Sequence, residues 1–291
     1  MDRNEFDIET LRDGVHVVRR AGLCNIGVCV KDRFALVIDS GYLPRAAKKI
    51  SSGVQNRFDC TIELLFNTHY HSDHTFGNQA FSCPILASER CREIMESCRA
   101  TYWSDKEIEA ARREDPHLID EWRDLVITSP TITFDESMEY DFHGIRLIFQ
   151  RLGGHSPDSS VLYLPKQRLL FAGDIAFGGR YPTILDHDSD PAELVDVLNK
   201  LTLYDIETIV PGHGITGGKE MLKLLVDYFA GLLEAGRQAY GKGISRDEAA
   251  DWMRNRCHIP DIPFDERRHR RNSMSVWQYL DHLKDNRETP T

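Results

Sequence analysis

Residues 67–78 read NTHYHSDHTFGN and place three histidines and an aspartate within six positions. Imidazole nitrogen and carboxylate oxygen are the donors that borderline divalent cations such as zinc accept. A histidine-rich surface turn without function would spell similar letters, so the rest of the chain must supply what the chemistry lacks. Four donors on one loop (His69, His71, Asp73 and His74) do not complete two metal shells. Three more lie in glycine-rich settings: His155 in GGHSPDSS, Asp174 in LLFAGDIAF and His213 in VPGHG. Glycine is expected where the backbone must turn tightly and approach a ligand closely.

Each of these donors follows a segment that reads as a strand. TIELLFNT is a buried strand running directly into His69, and the ends of strands are where α/β proteins commonly hold ligands. IRLIFQRL precedes His155, LLFAG precedes Asp174, and ETIV precedes His213. Upstream, GVHVVR, NIGVCVK and FALVIDSG are short β-branched runs between turn residues. AKKISSGV predicts a helix interrupted by Gly53, FGNQAF a helix start and CPILAS a strand. MEYDFHGIRL predicts a hairpin with Gly144 in its turn, VLYLP with RLLFAGDIAF a second hairpin, and PAELVDVLNKL a helix opened by Pro191. Residues 89–127 are charge-rich with helical spacing of Ile, Leu and Trp, which predicts a helical insertion. Residues 217–291 read as a C-terminal helical extension. Two β-rich blocks, each followed by helix, predict an α/β fold of two sheets with helices outside. No linker divides residues 1–291, so a single domain is expected.

H-x-H-x-D-H, then G-H-S-P, G-D and P-G-H-G, in that order, resembles the metallo-β-lactamase superfamily over about residues 14–216. The resemblance implies a four-layer αβ/βα sandwich with two metals on one edge. It implies that His69, His71 and His155 hold the first metal, Asp73, His74 and His213 the second, with Asp174 bridging. His71 stands where the flavodiiron branch has glutamate, and no cysteine lies near Asp174, as one lactamase subclass would need. Asp39, closing FALVIDSG, resembles a feature of relatives that supports the metal loop. Asn67, Thr68, Ser72, Thr75 and Ser156 are close enough in sequence to orient the imidazoles.

Two divalent ions about 3.5–4 Å apart can share a water and clamp both sides of a displacement. The resemblance therefore implies a hydrolase acting on a small ester, thioester, lactone or amide, with Asp73 as proton partner. Zinc is the first expectation for the two ions, with iron and manganese as alternatives. The alternative reading is a mononuclear iron oxidoreductase like the persulfide dioxygenases, which metal content and oxygen consumption separate from a hydrolase. The segment after Asp174 supplies the candidate substrate contacts Phe177, Arg180, Tyr181 and His187. Phe177 stands where lactonase relatives have tyrosine, which weighs against a lactone. Tyr102 and Trp103 of the insertion are candidates for roofing the site. The arginines of ERRHRRNSMSVW (Arg267, Arg268, Arg270, Arg271) resemble the basic C-terminal helices with which glyoxalase II relatives bind glutathione; a salt-bridged helix start is the plainer reading.

Composition narrows the class. Of 291 residues, 41% are hydrophobic and 28% charged, which suits a globular chain, and the formal net charge of −10 argues against nucleic-acid or anionic-membrane partners. A small-molecule substrate is the expected partner, with a homo-oligomer left open. Seven cysteines at irregular spacing, with no C-x-x-C, fit buried thiols better than a disulfide framework. With no apolar leader or membrane-length run visible, the expected location is cytoplasmic, which also disfavours β-lactam hydrolysis as the main activity.

Overall fold

The computed structural model describes residues 6–19, 23–184 and 188–288. Two compact units divide the chain: Met1–Arg151 with Asp158–Gly173, and Leu152–Pro157 with Asp174–Thr291.

The first unit carries a seven-stranded sheet in chain order: β1 (Asp7–Arg12), β2 (Val15–Arg19), β3 (Ile26–Lys31), β4 (Phe34–Ile38), β5 (Thr61–Phe66), β6 (Ile85–Ser88) and β7 (Ile132–Phe134). Strands β1 to β4 are antiparallel neighbours, and β4 to β7 run parallel. Parallel neighbours need crossovers; α1 (Pro44–Phe58) makes the first, between β4 and β5. It buries Ala47, Ile50 and Val54 in one core with Val28, Val37, Leu65 and Ile85. The helix runs through Gly53 rather than breaking there. A Cβ at that position would lie 2.6 Å from the Phe6 ring, so the missing side chain makes room for an aromatic.

After β5 comes the one-turn helix α2 (Ser72–Thr75), and FGNQAF forms only a 3₁₀ turn over Asn78–Ala80. The predicted insertion consists of α3 (Glu89–Ala100), α4 (Asp105–Glu114) and α5 (His117–Glu121), lying between β6 and β7. The Ser88 hydroxyl caps α3 by accepting from the Cys91 N–H. Cys91, Met95, Cys98, Ile108 and Trp122 pack with Tyr70 and Phe76, so the insertion shares a core with the histidine loop itself. Trp103 sits edge-on to Phe76 at 5.1 Å between centroids, whereas Tyr102 is 72% exposed.

The second sheet has the order β12-β11-β10-β9-β8, from β8 (Ser137–Phe142), β9 (Ile145–Arg151), β10 (Ser160–Leu164), β11 (Leu169–Gly178) and β12 (Thr208–Gly214). β8 and β9 form the predicted hairpin, with His143 (φ 51°) and Gly144 (φ 85°) as its two-residue turn. Two sheets with flanking helices make this an α/β fold. Asp174 and His213 lie inside β11 and β12 rather than beyond them. β11 runs on past Asp174 through Gly173, whose φ of +51° a residue without a side chain adopts readily.

In the second unit α6 (Pro191–Thr202) opens with Pro191 at an early position, and the Asp190 carboxylate accepts from the N–H groups of Ala192 and Glu193. The C-terminal extension comprises α7 (Lys219–Gly241), α8 (Arg246–Arg254), which starts with a Ser245–Glu248 capping box, and α9 (Glu266–Glu288). Gly236 lets α7 and α9 approach closely, since a Cβ there would lie 2.5 Å from Val276. Among the described residues no helix is long and apolar enough to cross a membrane.

Candidate metal centre

In the first unit the donor loop starts one residue past β5 and is built around Asp39, which follows β4. Asp39 is 2% exposed and has φ 63°; its N–H donates to the Phe66 carbonyl, fixing it beside the end of β5. Its carboxylate accepts from the Thr68 N–H (2.8 Å), the Thr68 hydroxyl (2.9 Å) and His74 Nδ1 (2.8 Å). A carboxylate can only accept, so His74 carries its proton on Nδ1 and offers Nε2 as a lone pair. The Thr68 hydroxyl, committed as a donor to Asp39, can accept from His69 Nδ1 at 3.0 Å, and this leaves His69 Nε2 as a lone pair too. One buried carboxylate thus sets the tautomer of two donors, in the carboxylate–histidine arrangement typical of metal ligands.

The rest of the loop is held by polar contacts from several elements. Asn67 and Asn78 exchange side-chain hydrogen bonds at 2.9 and 3.0 Å, and the single Ser40 hydroxyl proton lies between two acceptors, the Asn78 side-chain oxygen at 2.8 Å and the His74 backbone carbonyl at 3.0 Å. Thr75 donates back to the Tyr70 carbonyl. The Asp158 carboxylate, fully buried, accepts the Tyr70 N–H at 2.7 Å, between the first two histidines. Of the orienting residues expected from sequence, Asn67, Thr68 and Thr75 make these contacts. Ser40, Asn78 and Asp158 were not anticipated; Asp158 stands three residues after His155, and its setting in HSPDSS was the only trace of it.

The donor atoms face each other. His69 Nε2 lies 3.0 Å from His71 Nδ1, and His74 Nε2 lies 3.8 Å from Asp73 Oδ2. With metal–ligand bonds of about 2.0–2.1 Å, two ligands of one tetrahedral ion lie about 3.3 Å apart. Both pairs fall within half an ångström of that spacing. This part of the site fits a divalent cation.

In the second unit His155, Asp174 and His213 come together. Asp174 Oδ2 is 3.7 Å from His155 Nε2 and 3.5 Å from His213 Nε2. These distances exceed a good hydrogen bond and again match two ligands of one ion. Local structure explains the placement. Gly153 and Gly154 have positive φ, the Gly154 N–H donates to Glu193, and the Asp190 N–H donates to the Gly154 carbonyl, so the start of α6 holds the His155 turn. A Cβ on Gly154 would lie 2.7 Å from the Leu194 backbone. Gly178 and Gly214 meet in the same way: a Cβ on Gly214 would lie 1.9 Å from the Gly178 carbonyl oxygen. That approach sets the spacing of β11 and β12 and so of Asp174 and His213.

Phe177 is buried and stacks on His213, ring planes 6° apart, with the His155 ring 6.2 Å away. Arg180 is half-buried. Tyr181 is 2% exposed, packed edge-on against Tyr228 and Phe264, and burial pushes its hydroxyl up to about 12. His187 lies outside the described residues. In the arginine run, Arg270 pairs with Asp251 and Glu266, and Arg268 with Asp265. The salt-bridged helix start describes these two.

Comparison with known proteins agrees with this architecture. The sequence profile of the Metallo-beta-lactamase superfamily matches residues 19–213. A linear primary-alkylsulfatase of Pseudomonas sp. (strain ATCC 19151) is 23% identical over 257 residues, covering 77% of this chain and 48% of that protein. The chain therefore spans about half the length of this relative. A hydroxyacylglutathione hydrolase of Bartonella henselae is 27% identical over 210 residues, covering 69% of this chain and 70% of the relative. Among solved structures, a metallo-beta-lactamase from Pontibacter korlensis superposes with a TM-score of 0.62 at 18% identity, over 78% of this chain and 99% of that one. With the profile spanning both donor sets and the fold matched, this chain belongs to the metallo-beta-lactamase superfamily, and its curated relatives are hydrolases.

Proposed function

We propose that the chain is a metal-dependent hydrolase of a small ester, thioester, lactone or amide. The seven donors would hold two divalent cations: His69, His71 and His155 the first, Asp73, His74 and His213 the second, with Asp174 shared. The observation that carries this reading is the donor set itself, buried and half-buried histidine and aspartate side chains with nitrogens and oxygens facing one another at ligand spacing. Zinc is the proposed metal, since imidazole and carboxylate donors suit it. Bound there, the ions would supply water that loses its proton near neutral pH and a Lewis acid for the substrate oxygen.

The chain's own groups do the rest. Asp39 and Thr68 keep the lone pairs of His69 and His74 aimed outward. Asp73, whose side chain is 37% accessible, can take up and pass on the proton that water loses. Phe177 fixes the His213 ring by stacking and shields it from water. Arg180 follows β11 by two residues and is the proposed contact for an anionic part of the substrate. A cytoplasmic setting suits cysteines that form no disulfide, six of the seven being buried.

The alkylsulfatase match favours a second reading, hydrolysis of a sulfate ester by the same centre. The test is elemental analysis of protein purified without added metal, followed by a screen of p-nitrophenyl esters, acyl thioesters, lactones, a β-lactam and alkyl sulfates. Two equivalents of zinc with chelator-sensitive turnover of an ester or thioester support the first reading. Turnover of alkyl sulfates alone selects the second. One equivalent of iron with oxygen consumption on a persulfide would replace both with the dioxygenase.

A further inference from the structure

The arginine run of α9 has an inner face that the proposed chemistry does not use. Asn272, fully buried, reaches the segment 180–184 that follows β11. Its Oδ1 accepts the Ile184 N–H at 2.9 Å, and its Nδ2 donates to the Pro182 carbonyl at 3.1 Å. The same Nδ2 lies 3.0 Å from the Tyr228 hydroxyl on α7, toward which it donates. One turn earlier Arg268 donates to the Tyr181 carbonyl at 3.3 Å. His269 Nε2 faces the Ala250 carbonyl at 2.9 Å; a carbonyl only accepts, so the ring proton is on Nε2, and Nδ1 is left to accept the Tyr181 O–H at 3.3 Å. Three successive inward positions of α9 therefore fasten the backbone at 181, 182 and 184 and the ring of Tyr181.

We propose that α9 is the positioning element of the substrate-side segment, with Asn272 as its central positioning residue and Arg180 as the group it presents. This rests on the reading of Arg180 as a substrate contact, and it recasts Tyr181 as an anchor. A loop has many backbone conformations, and a contact carried on it binds well only where that freedom is removed beforehand. Asn272 satisfies one donor and one acceptor of the same short segment in a site without water access, so removing it leaves buried polar groups unpaired. The loss would be felt by substrate binding and not by the candidate metal donors, which lie on β11, β12, the His155 turn and the 69–74 loop.

The test compares the unaltered protein with Asn272→Ala, Arg268→Ala and Tyr240→Phe. The last removes the 2.9 Å bond between Tyr240 and Asp281, which joins α7 to α9 away from the segment. Hydrogen exchange read by mass spectrometry is the first measurement. Asn272→Ala should speed exchange across 181–184 by about tenfold or more, Arg268→Ala by a smaller factor, and Tyr240→Phe should leave it unchanged. Metal per chain should be equal in all four. With a carboxylate-bearing nitrophenyl ester, Asn272→Ala should raise KM about tenfold with kcat within about twofold, and Arg268→Ala should follow in part without risk to the buried core. Unchanged exchange in Asn272→Ala overturns the clamp, and released exchange with unchanged KM overturns its role in substrate positioning. Absence of hydrolysis by the unaltered protein refutes the proposed activity, while exchange still decides the clamp.

Discussion

Asp39→Asn is the substitution that most sharply probes the donor loop, because it changes hydrogen-bond polarity at constant volume. In the native site the carboxylate accepts three hydrogen bonds, from the Thr68 N–H, the Thr68 hydroxyl and His74 Nδ1. Asparagine can keep its oxygen on the Thr68 N–H, but its amide then points two donors at the Thr68 hydroxyl and His74. His74 must shift its proton to Nε2, the atom proposed to bind metal. The Thr68 hydroxyl, no longer a donor to Asp39, loses its reason to accept from His69. Outer partners of this kind are each worth about 10–100-fold in metal affinity. With one ligand held directly and another through Thr68, the expected loss is about 100-fold, or about 2.7 kcal/mol.

The assay is competition against a chromophoric chelator, alongside urea unfolding of the metal-free protein. Asp39→Asn should weaken metal binding much more than it lowers metal-free stability, because the backbone donor keeps its acceptor. Asp39→Ala should do both, since three buried donors lose a charged acceptor at about 1–3 kcal/mol for each left unsatisfied. If Asp39→Asn retains two equivalents at native affinity, the tautomer argument is wrong.

Other outcomes follow from the same geometry. Asp174→Ala should lower bound metal to one equivalent or less and cut turnover by orders of magnitude, read by elemental analysis and steady-state rates. Asp158→Ala should strand the buried Tyr70 N–H and cost about 1–3 kcal/mol in urea unfolding of the metal-free protein. Burial pushes the Cys29 and Cys257 thiols from 9.0 up to about 12. The unfolded chain releases those protons first, so this stability is present below about pH 9 and is lost as pH rises from 9 toward 12. Urea midpoints should fall between pH 8.5 and 10.5, and replacing Cys29 by alanine should flatten that slope.

How much of this could be read from the letters depended on range. The candidate donors are legible because each side chain carries its chemistry in its name and follows a strand of strong pattern, as His69 follows TIELLF. The hairpin at His143-Gly144 and the opening of α6 at Pro191 were legible because turn and cap rules act within four residues. Gly53 was misleading because glycine in a helix costs only about 1 kcal/mol, and the space its missing side chain leaves for Phe6 comes from 47 residues away. Asp174 reads as following a strand because a Gly-Asp pair looks like a turn when only neighbours are considered, whereas β11 extends to Gly178. The partners of the donor loop were hardest. Asp39 is reached only through its resemblance to a feature of relatives, and Asn78 and Asp158 not at all, because a single sequence has no local signal for a hydrogen bond spanning 88 positions, as between Tyr70 and Asp158.

That asymmetry has a physical basis that bears on how the centre is built. A metal ligand needs only the right atom, and the six positions between 69 and 74 supply four candidates. A ligand that binds well also needs its lone pair fixed before the ion arrives, or part of the binding energy goes into ordering the side chain. Short loops lack the contacts to do this alone, so fixation must come from groups already immobilised by the sheet. Asp39 meets that condition: it follows β4, its N–H is tied to the end of β5, and its φ of 63° turns the chain at that point. The glycines around the second donor set act by the opposite device, removing atoms so that backbones meet. Gly178 and Gly214 could not both carry a Cβ without forcing β11 and β12 apart, and the separation of Asp174 and His213 would widen with them. The chemistry in the first set is therefore positioned by an added carboxylate and in the second by absent side chains. Substitutions at Asp39 should consequently be read in metal affinity, and substitutions at Gly178 in the stability of the strand pair itself.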